Sequence, residues 1–260
     1  MLRGLLKVLK IYNIYEKWLE MQVKDGEIPK HVAIILDGNR RFAKSKGINL
    51  NSAYEYGAKN VERLLEWCLD LKIPSLTLYC LSTENLRRKK EELEPVLDVI
   101  RKELRKALEN ERIYKEGVKV NILGNRELLP ADLKELAEKL EEKTRKNERF
   151  NLNLAIGYGG RNEILEAVKK IAKEVEKGSL KLENINERTF EKFLYTSSLP
   201  YPEPDIVIRT SGEERISNFL LWQAAYSELV FLEVYWPEFR RIDLLRAIRT
   251  YQRRKRRFGT

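Results

Sequence analysis

The amino-acid sequence predicts one α/β domain with a six-stranded, mostly parallel sheet that is flanked by helices and preceded by an amphipathic helix. A chain of 260 residues is long enough for one substantial core. Short β-rich runs alternate with helical patterns, which is typical of βαβ units. The first runs, VAIIL and LTLYCL, are almost entirely apolar, as in parallel strands buried on both faces. Predicted strands cover residues 31–37, 75–81, 118–123, 151–157, 205–209 and 229–234, and predicted helices cover 52–72, 91–116, 131–146, 161–177, 187–195 and 240–256.

The predicted amphipathic helix covers residues 1–23. Leucines and aromatic residues recur at helical spacing from Leu2 to Leu19, and basic residues flank this apolar stripe. The stripe either packs on the body of the protein or contacts a membrane surface or a substrate tunnel. A glycine and a proline then break the pattern, so we expect a helical extension over residues 1–28 and a main domain over 29–260.

The composition indicates an anionic partner. The formal net charge is +10 and the pI is about 9.4, which suits nucleic acid, anionic lipid or a phosphorylated small molecule. The charged fraction of 35%, a mean hydropathy of -0.50 and the lack of a long apolar run argue against an integral membrane protein. Lysines interrupt the apolar start of the chain, so no signal peptide is expected and a cytoplasmic location is predicted.

Few side chains are available for metal clusters or histidine catalysis. Cys68 and Cys80 are far apart, which argues against a disulfide framework or a zinc site. His31 is the single histidine, and its place at the start of a strand favours a structural role. Catalysis is therefore expected to use carboxylates, arginines, a metal ion or groups of the substrate.

Polar, glycine-rich segments follow four of the predicted strands. They are residues 37–41, 82–85, 157–161 and 209–212. Ligands of open parallel sheets bind beyond the carboxyl ends of the strands. We therefore expect these four segments to form one site.

Asp37 is the most prominent acid at this edge. Asp-Gly also favours a hairpin turn, but no second strand follows it directly. A single carboxylate suits Mg²⁺, which keeps several waters and takes phosphate oxygens as further ligands. Gly38, Asn39, Arg40 and Arg41 add backbone amides and guanidinium groups, which favours a phosphate or diphosphate ligand.

A second anion site is predicted around Arg209. Arg215 and Ser217 follow in SGEERISN, which resembles the start of a helix, so two guanidinium groups, a hydroxyl and helical amides would converge. The alternative is a helix cap with surface ion pairs to Glu213 and Glu214. The chain has no GxGxxG or Walker A pattern, which disfavours a nicotinamide enzyme or P-loop ATPase.

Five runs together resemble the cis-prenyltransferases, the family of undecaprenyl and dehydrodolichyl diphosphate synthases. The runs are HVAIILDGNRRFAK, LTLYCLSTENLRR, NLNLAIGYGGRNEI, PDIVIRTSGEERISNFLLWQAAYSELVFLEVYWPEF and the terminal RRFG. The resemblance extends in order from about Pro29 to Gly259. DGNRR and the N-terminal extension look more like the archaeal and dehydrodolichyl branch than the bacterial one.

The resemblance implies an activity. Such enzymes extend an allylic diphosphate (geranyl, farnesyl or geranylgeranyl) by repeated condensation with isopentenyl diphosphate, and each step forms a cis double bond. It also implies Mg²⁺ as the cofactor, a long-chain polyprenyl diphosphate as the product, and a homodimer. Because the product would partition into a membrane, peripheral membrane contact is a further hypothesis.

The resemblance also implies roles for individual residues. The catalytic residues would be Asp37, Asn39 and Asn85, and the metal ligands would be Asp37 and Glu228, the latter linked either to the metal or to the neighbouring subunit's site. The allylic diphosphate would contact Gly38, Arg40 and Arg41. Substrate binding would also involve Phe42 and the second-motif residues Ser82, Glu84 and Arg88. Isopentenyl diphosphate would bind Arg209, Arg215 and Ser217, and Arg257 with Gly259 would complete that site across the dimer.

Three positions depart from the family pattern. Leu50 stands where a basic residue is usual, Tyr54 where a histidine is usual, and Leu86 where an aromatic residue is usual. A diphosphate contact and a proton relay are therefore not expected to follow the family's usual form here.

Other hypotheses remain at this stage. The stripe of Leu93, Val96, Leu97, Ile100 and Leu104 either packs in the core or lines a channel for the growing prenyl chain. A non-catalytic subunit that stabilises a catalytic partner is the main alternative function, but it would be expected to lose DGNRR. The basic tail RRKRRFG also permits RNA binding, yet no aromatic recognition motif accompanies it, so no nucleic-acid partner is expected.

Overall fold

Six parallel strands form one sheet. The structure is a computed structural model that describes residues 11–254. The strand order is β3-β4-β2-β1-β5-β6, and every neighbouring pair is parallel. The strands are β1 (His31–Ile35), β2 (Ser75–Ser82), β3 (Val118–Leu123), β4 (Phe150–Tyr158), β5 (Ile206–Arg209) and β6 (Glu228–Phe231). The predicted α/β fold with six strands is confirmed, and this sheet is parallel throughout.

Helices cover both faces of the sheet. Along the described chain they are α1 (Ile11–Lys24), α2 (Asn39–Lys46), α3 (Leu50–Asp70), α4 (Lys90–Glu109), α5 (Glu111–Lys115), α6 (Ala131–Thr144), α7 (Gly160–Glu176), α8 (Glu187–Glu191) and α9 (Arg241–Arg253). Short 3₁₀ turns lie at Asn85–Arg87, Arg126–Leu128, Leu182–Asn184 and Trp236–Glu238.

The apolar strand residues divide between two cores. Val32 and Ile34 of β1 belong to the larger core, whereas Ala33 and Ile35 face the smaller one. This alternation follows from the two-residue period of a strand. Both faces of β1 are buried, which explains why its sequence is almost continuously apolar.

Two helix predictions need correction. The helix predicted over residues 91–116 is divided at Asn110, which has an extended backbone and whose side chain accepts a hydrogen bond from the Arg112 amide. Asparagine favours such a capping position over a helix interior. The helix expected to start in residues 211–218 does not form, because this stretch is a series of turns with left-handed residues at Ser217 and Asn218.

The amphipathic helix is described only from Ile11 onward, and residues 1–10 lie outside the described part of the chain. Leu19 and Val23 of α1 are buried. Glu20 forms a bidentate ion pair with Arg241 of α9, with N–O distances of 2.7 and 2.9 Å. One face of α1 therefore packs on the main body. Among residues 11–254, no helix is both long and apolar enough to cross a membrane.

Candidate active site

Asp37 lies directly beyond β1, at the carboxyl edge of the sheet. Its Oδ2 accepts hydrogen bonds from Arg209 Nη2 at 2.8 Å and from Arg41 Nη2 at 3.4 Å, and its Oδ1 accepts one from the Gly38 amide at 2.6 Å. Burial alone would raise the pKa of Asp37. Hydrogen bonds from Arg209 and Ser211, with the charges of Arg209 and Arg41, outweigh this effect and hold the pKa below its usual value. The carboxylate is therefore ionised at neutral pH.

Gly38 allows the chain to turn directly from β1 into α2. Its φ of 106° is left-handed, and an added Cβ would lie 2.8 Å from the Tyr235 ring. Neither condition suits a larger residue. The turn places Arg40 and Arg41 in the first turn of α2, from which Arg41 reaches back to the Asp37 carboxylate.

Arg209 ends β5 and is 5% exposed. Its Nη1 donates to the Arg215 carbonyl at 2.6 Å and to Ser217 Oγ at 2.7 Å, while Nη2 donates to Asp37. Its Nε is buried and has no hydrogen-bond partner within residues 11–254. Because a buried donor without a partner is costly, this nitrogen is a candidate contact for an anionic ligand.

The second motif lies at the end of β2, beside the Arg209 loop. Ser82 Oγ accepts a bond from the Asn85 amide at 3.0 Å, which orders the turn between them. Glu84 accepts a bond from the Asn218 side chain at 2.8 Å. Burial would raise the pKa of Glu84, but hydrogen bonds, including that from Asn218, lower it below its usual value.

A third cluster connects α2 to the segment after β2. Arg40 forms an ion pair with Glu92 at 2.9 Å. Tyr54, which stands where the family usually has histidine, is partly buried between this pair and Arg88. Burial raises its pKa, and the charges of Arg88 and Arg40 offset only part of that effect. Tyr54 therefore keeps its proton at neutral pH, and its hydroxyl can donate one hydrogen bond.

Asn39 connects the charged edge to an apolar cavity. Its Nδ2 donates to the Leu36 carbonyl at 3.1 Å, whereas its Oδ1 is buried without a partner in the described chain. Gly57 of α3 makes this approach possible, because an added Cβ would lie 2.7 Å from that oxygen. Leu36, Asn39 and Gly57 all line one end of the cavity.

The cavity has a volume of about 360 Å³ and lies between the sheet and helices α3 and α4. It extends from Leu36, beyond the end of β1, to Val118, at the start of β3. Val96, Ile100 and Leu104, three residues of the predicted stripe, line it. Leu97 is buried in the core and Leu93 packs against it, so the stripe divides between the cavity wall and the core.

Phe42 and Glu228 make contacts outside this group of side chains. Phe42 packs with Ala43 and Ala53 in a separate apolar cluster, so the structure does not place its ring in the site. Glu228 begins β6, at the amino edge of the sheet, where it pairs with Arg254 at 2.9 Å. Within one chain it therefore cannot share a metal ion with Asp37. Arg257 and Gly259 lie outside the described residues.

The donor set at Asp37 fits a hard divalent cation that takes most of its ligands from substrate and water. No group of three or more acidic, histidine or cysteine side chains suited to a metal occurs in residues 11–254. Mg²⁺ does not need one, since it binds through one or two carboxylates plus phosphate oxygens. Oδ1 of Asp37 accepts the Gly38 amide and has a second lone pair with which it can ligate an ion.

The sequence indicated no individual role for Ser211 or Tyr235. Ser211 accepts a 2.5 Å hydrogen bond from Arg41, and Tyr235 packs against Gly38. Glu213 pairs with both Arg41 and Arg215, so the exposed Arg215 guanidinium forms the surface ion pair that the sequence offered as the alternative. Ser211 belongs to the polar segment after β5, so the sequence marked it as a possible site residue. Nothing in the sequence marked Tyr235, because only tertiary packing brings its segment close to Gly38.

Comparison with known proteins agrees with this geometry. Residues 35–259 match the family model described as putative undecaprenyl diphosphate synthase. The chain is 50% identical over 249 residues to the tritrans,polycis-undecaprenyl-diphosphate synthase (geranylgeranyl-diphosphate specific) of Methanopyrus kandleri, covering 96% of this chain and 91% of the relative. It is 48% identical to the enzyme of the same name from Thermococcus kodakarensis, covering 96% and 94%.

The fold comparison gives the same result. A crystal structure of lavandulyl diphosphate synthase from Lavandula x intermedia, in complex with dimethylallyl diphosphate, superposes with a TM-score of 0.86 at 35% identity. The match covers 92% of this chain and 100% of that one. Sequence, fold and the charged edge of the sheet thus agree, and the chain belongs to the undecaprenyl diphosphate synthase family of cis-prenyltransferases, on its archaeal branch.

Proposed function

We propose that this enzyme catalyses Mg²⁺-dependent elongation of an allylic diphosphate with isopentenyl diphosphate, giving a long-chain polyprenyl diphosphate with cis double bonds. One observation supports this most directly. The cationic edge around Asp37 and Arg209 continues, through Asn39, into an apolar cavity of about 360 Å³. A diphosphate head and a growing prenyl tail need these two environments side by side.

Two diphosphates are proposed to bind at opposite sides of Asp37. The allylic diphosphate would contact the Gly38 amide, Arg40 and Arg41, while isopentenyl diphosphate would contact Arg209, Arg215 and Ser217. Asp37 would hold Mg²⁺, which when bound neutralises charge on the leaving diphosphate. Arg209 touches both sides, since it bonds Asp37 and Ser217 through different nitrogens.

The proposed reaction breaks the allylic C–O bond, and the diphosphate leaves with the bonding electron pair. The alkene of isopentenyl diphosphate supplies the electrons of the new C–C bond, and a proton is then lost from the neighbouring carbon. The departing diphosphate is basic enough to take this proton, so no histidine is required. Asn39 and Asn85 would orient the reacting groups, because their side chains lie at the cavity end and the second motif.

We propose geranylgeranyl diphosphate as the preferred primer, since the archaeal relatives carry that specificity in their names. The direct test incubates purified protein with Mg²⁺, labelled isopentenyl diphosphate and a C10, C15 or C20 primer. Product length, double-bond geometry and kcat/KM for each primer are measured. A C20 preference and cis products are expected. Absence of any primer-dependent transfer would refute the function, and a C10 preference would refute the primer assignment.

The cavity is proposed to hold the growing chain. Ile100→Trp should shorten the products, because the larger ring would occupy space near the middle of α4. Leu133→Met is a matched control, since Leu133 is buried in the core but does not line the cavity. Products of unchanged length from a folded Ile100→Trp variant would show that the chain grows elsewhere.

We propose that a second copy of the chain completes each site. Arg257 and Gly259 would reach the isopentenyl diphosphate site of the partner, and Glu228 lies beside Arg254, where this tail begins. Mixing inactive Asp37→Asn and Arg257→Ala proteins should restore up to roughly a quarter of the wild-type rate, because mixed dimers contain one intact site. No recovery after subunit exchange would exclude a shared site.

Finally, we propose that α1 contacts the membrane surface through its outer face. Ile14, Trp18 and Met21 recur at helical spacing and are 64%, 45% and 59% exposed. Changing all three to Ser should reduce sedimentation with anionic phosphatidylglycerol vesicles. The control changes Leu182 and Ile185, which are exposed elsewhere, to Ser. Equal vesicle binding by both variants would rule out this contact.

A further inference from the structure

Asn218 connects three loops at the carboxyl edge of the sheet. Its side-chain Nδ2 donates to Glu84 Oε1 at 2.8 Å, and its Oδ1 accepts from the Arg161 amide at 2.8 Å. Its backbone carbonyl accepts from the Gly160 amide at 2.7 Å. These partners follow β2 and β4, whereas Asn218 belongs to the segment after β5. One residue therefore joins segments that are separated by 57 and 134 positions in the sequence.

The backbone around Asn218 is held in an uncommon conformation. Asn218 has a φ of 64°, and its neighbour Ser217 has a φ of 46°. Left-handed conformations are unfavourable for most residues, although asparagine tolerates them better than others. This conformation needs support from its surroundings. The bonds of Asn218, and those that Ser217 accepts from Arg209 and Tyr79, are polar contacts that can provide it.

This conformation has a consequence for the reaction. Ser217 Oγ is a proposed ligand of isopentenyl diphosphate, and Glu84 lies between Ser82 and Asn85 of the second motif. The Asn218–Glu84 bond thus joins the isopentenyl site to the second-motif loop. Condensation between two substrates requires their reacting carbons to be held at a fixed short separation. A change in the relative position of these two loops should therefore lower the rate of condensation.

The chemistry of this position requires an amide. One planar group must offer a donor to Glu84 and an acceptor to the Arg161 amide. Aspartate offers acceptors only and would place a second carboxylate against Glu84. Glycine keeps the left-handed backbone but makes neither side-chain bond.

We propose that Asn218 is a positioning residue that fixes the second-motif loop against the isopentenyl diphosphate loop. It acts through Glu84 and Ser217 and does not itself contact substrate. The inference rests on the proposed function for its kinetic consequence. The link between the loops is independent of that function.

The test is a double-variant cycle with Asn218→Asp, Glu84→Gln and the combination. Asn218→Asp should lower kcat/KM for isopentenyl diphosphate by between about tenfold and a hundredfold, because the loops lose register. In the combination, the amide introduced at position 84 can donate to the carboxylate introduced at position 218. If the two substitutions acted independently, their effects on kcat/KM would multiply. The kcat/KM of the combined variant should instead be at least about fivefold higher than that product predicts. Single effects that simply multiply would overturn the proposal.

Hydrogen–deuterium exchange gives a readout that does not depend on turnover. Asn218→Asp and Asn218→Gly should both raise exchange in residues 82–88, across the Glu84 bond, and adding Glu84→Gln should reverse the effect of Asn218→Asp. Asn186→Asp is the matched control, because this asparagine caps α8 through an acceptor oxygen that aspartate retains. Unchanged exchange in residues 82–88 of a folded Asn218→Gly variant would refute the link, even if the wild-type enzyme proved to catalyse another reaction.

Discussion

The two edges of the sheet both contain buried polar groups but use them differently. At the amino edge, His31 Nε2 lies 2.6 Å from Thr77 Oγ1, and Asn153 donates to the same hydroxyl at 3.0 Å. Asn121 extends this row by donating to Asn153 at 2.9 Å, so the network runs from the amino edge into the middle of β2, β4 and β3. At the carboxyl edge, Asp37 and Arg209 form the central pair, but neighbouring atoms lack partners within the described chain.

The difference separates polar groups that stabilise from polar groups that bind. A buried network whose neutral members bond each other fixes strand positions. The network at the amino edge leaves one atom, His31 Nδ1, without a hydrogen-bond partner within residues 11–254. The carboxyl edge combines unpaired atoms, Arg209 Nε and Asn39 Oδ1, with an ion pair and with backbone in left-handed conformations. Such costs persist in folded proteins mainly at functional sites. Variants at the two edges should therefore affect different properties.

The largest effect is expected from Asp37→Asn at the carboxyl edge. The amide keeps one acceptor oxygen, which can serve Arg209 or the Gly38 amide but not both, since these bond different oxygens of Asp37. It also loses the charge that holds a metal ion, so kcat should fall by on the order of 10²–10³-fold or more. Steady-state kinetics at saturating Mg²⁺ measures this change. Thermal unfolding should shift by only a few degrees (about 1 kcal/mol). Activity near the wild-type level would remove Asp37 from the mechanism.

Asp37→Ala provides a contrast at the same position. It would leave the Arg209 guanidinium buried without its carboxylate, so it should cost more stability than the Asn variant. Equal unfolding midpoints for the two variants would show that the ion pair contributes little to folding.

Arg209→Lys should have the next largest effect, chiefly on the KM for isopentenyl diphosphate. A lysine cannot reproduce the forked contacts, and each charge-assisted hydrogen bond contributes about 1.5–3 kcal/mol. Loss of one such bond corresponds to roughly a tenfold to hundredfold rise in KM. The KM for the allylic primer should change less and serves as the internal control. An unchanged isopentenyl diphosphate KM would contradict the assigned role.

At the amino edge, His31 should affect stability and leave catalysis intact. Burial is the main cause that lowers the pKa of His31 from 6.5 to about 4. The unfolded chain therefore binds a proton at higher pH than the folded protein does. The contribution of neutral His31 is complete above pH 6.5 and is lost as the pH falls towards 4. At about 1.4 kcal/mol per pH unit, it amounts to about 3 kcal/mol.

His31→Gln tests this assignment. Urea unfolding between pH 7.5 and 4.5 should give a smaller decrease in unfolding free energy for the variant than for the wild type. Turnover at pH 7.5 should stay within about twofold, since His31 lies at the edge opposite the site. Parallel stability curves would show that His31 does not titrate in this range.

Phe42→Leu should give the smallest effect, although Phe42 lies next to Arg41 in the motif. The ring packs with Ala43 and Ala53, so a loss of about 1 kcal/mol in stability is expected with little change in either KM. A large rise in the KM for the allylic primer would restore the substrate-binding role suggested by the family resemblance.

The same distinction explains which site residues the sequence could predict. Asp37, Ser82 and Arg209 each end or directly follow a strand with a strong apolar pattern. Because parallel strands bring their carboxyl ends to one edge, these residues were predictable as neighbours. The sequence also indicated that Glu228 would lie away from Asp37, since the predicted strand started at Leu229, immediately after Glu228. The first residue of a parallel strand lies at the opposite edge.

The sequence by itself thus determined the α/β class, the strands and the edge at which the charged segments meet, because apolar periodicity and parallel connections are local properties. The tertiary structure decided the turns after Arg209, the packing of Phe42 and the role of Asn218 as a link between loops. Asn218 bonds Glu84 across 134 positions of sequence. Such bonds form only after the strands have assembled, so local propensity, which favoured a helix in residues 211–218, could not reveal them.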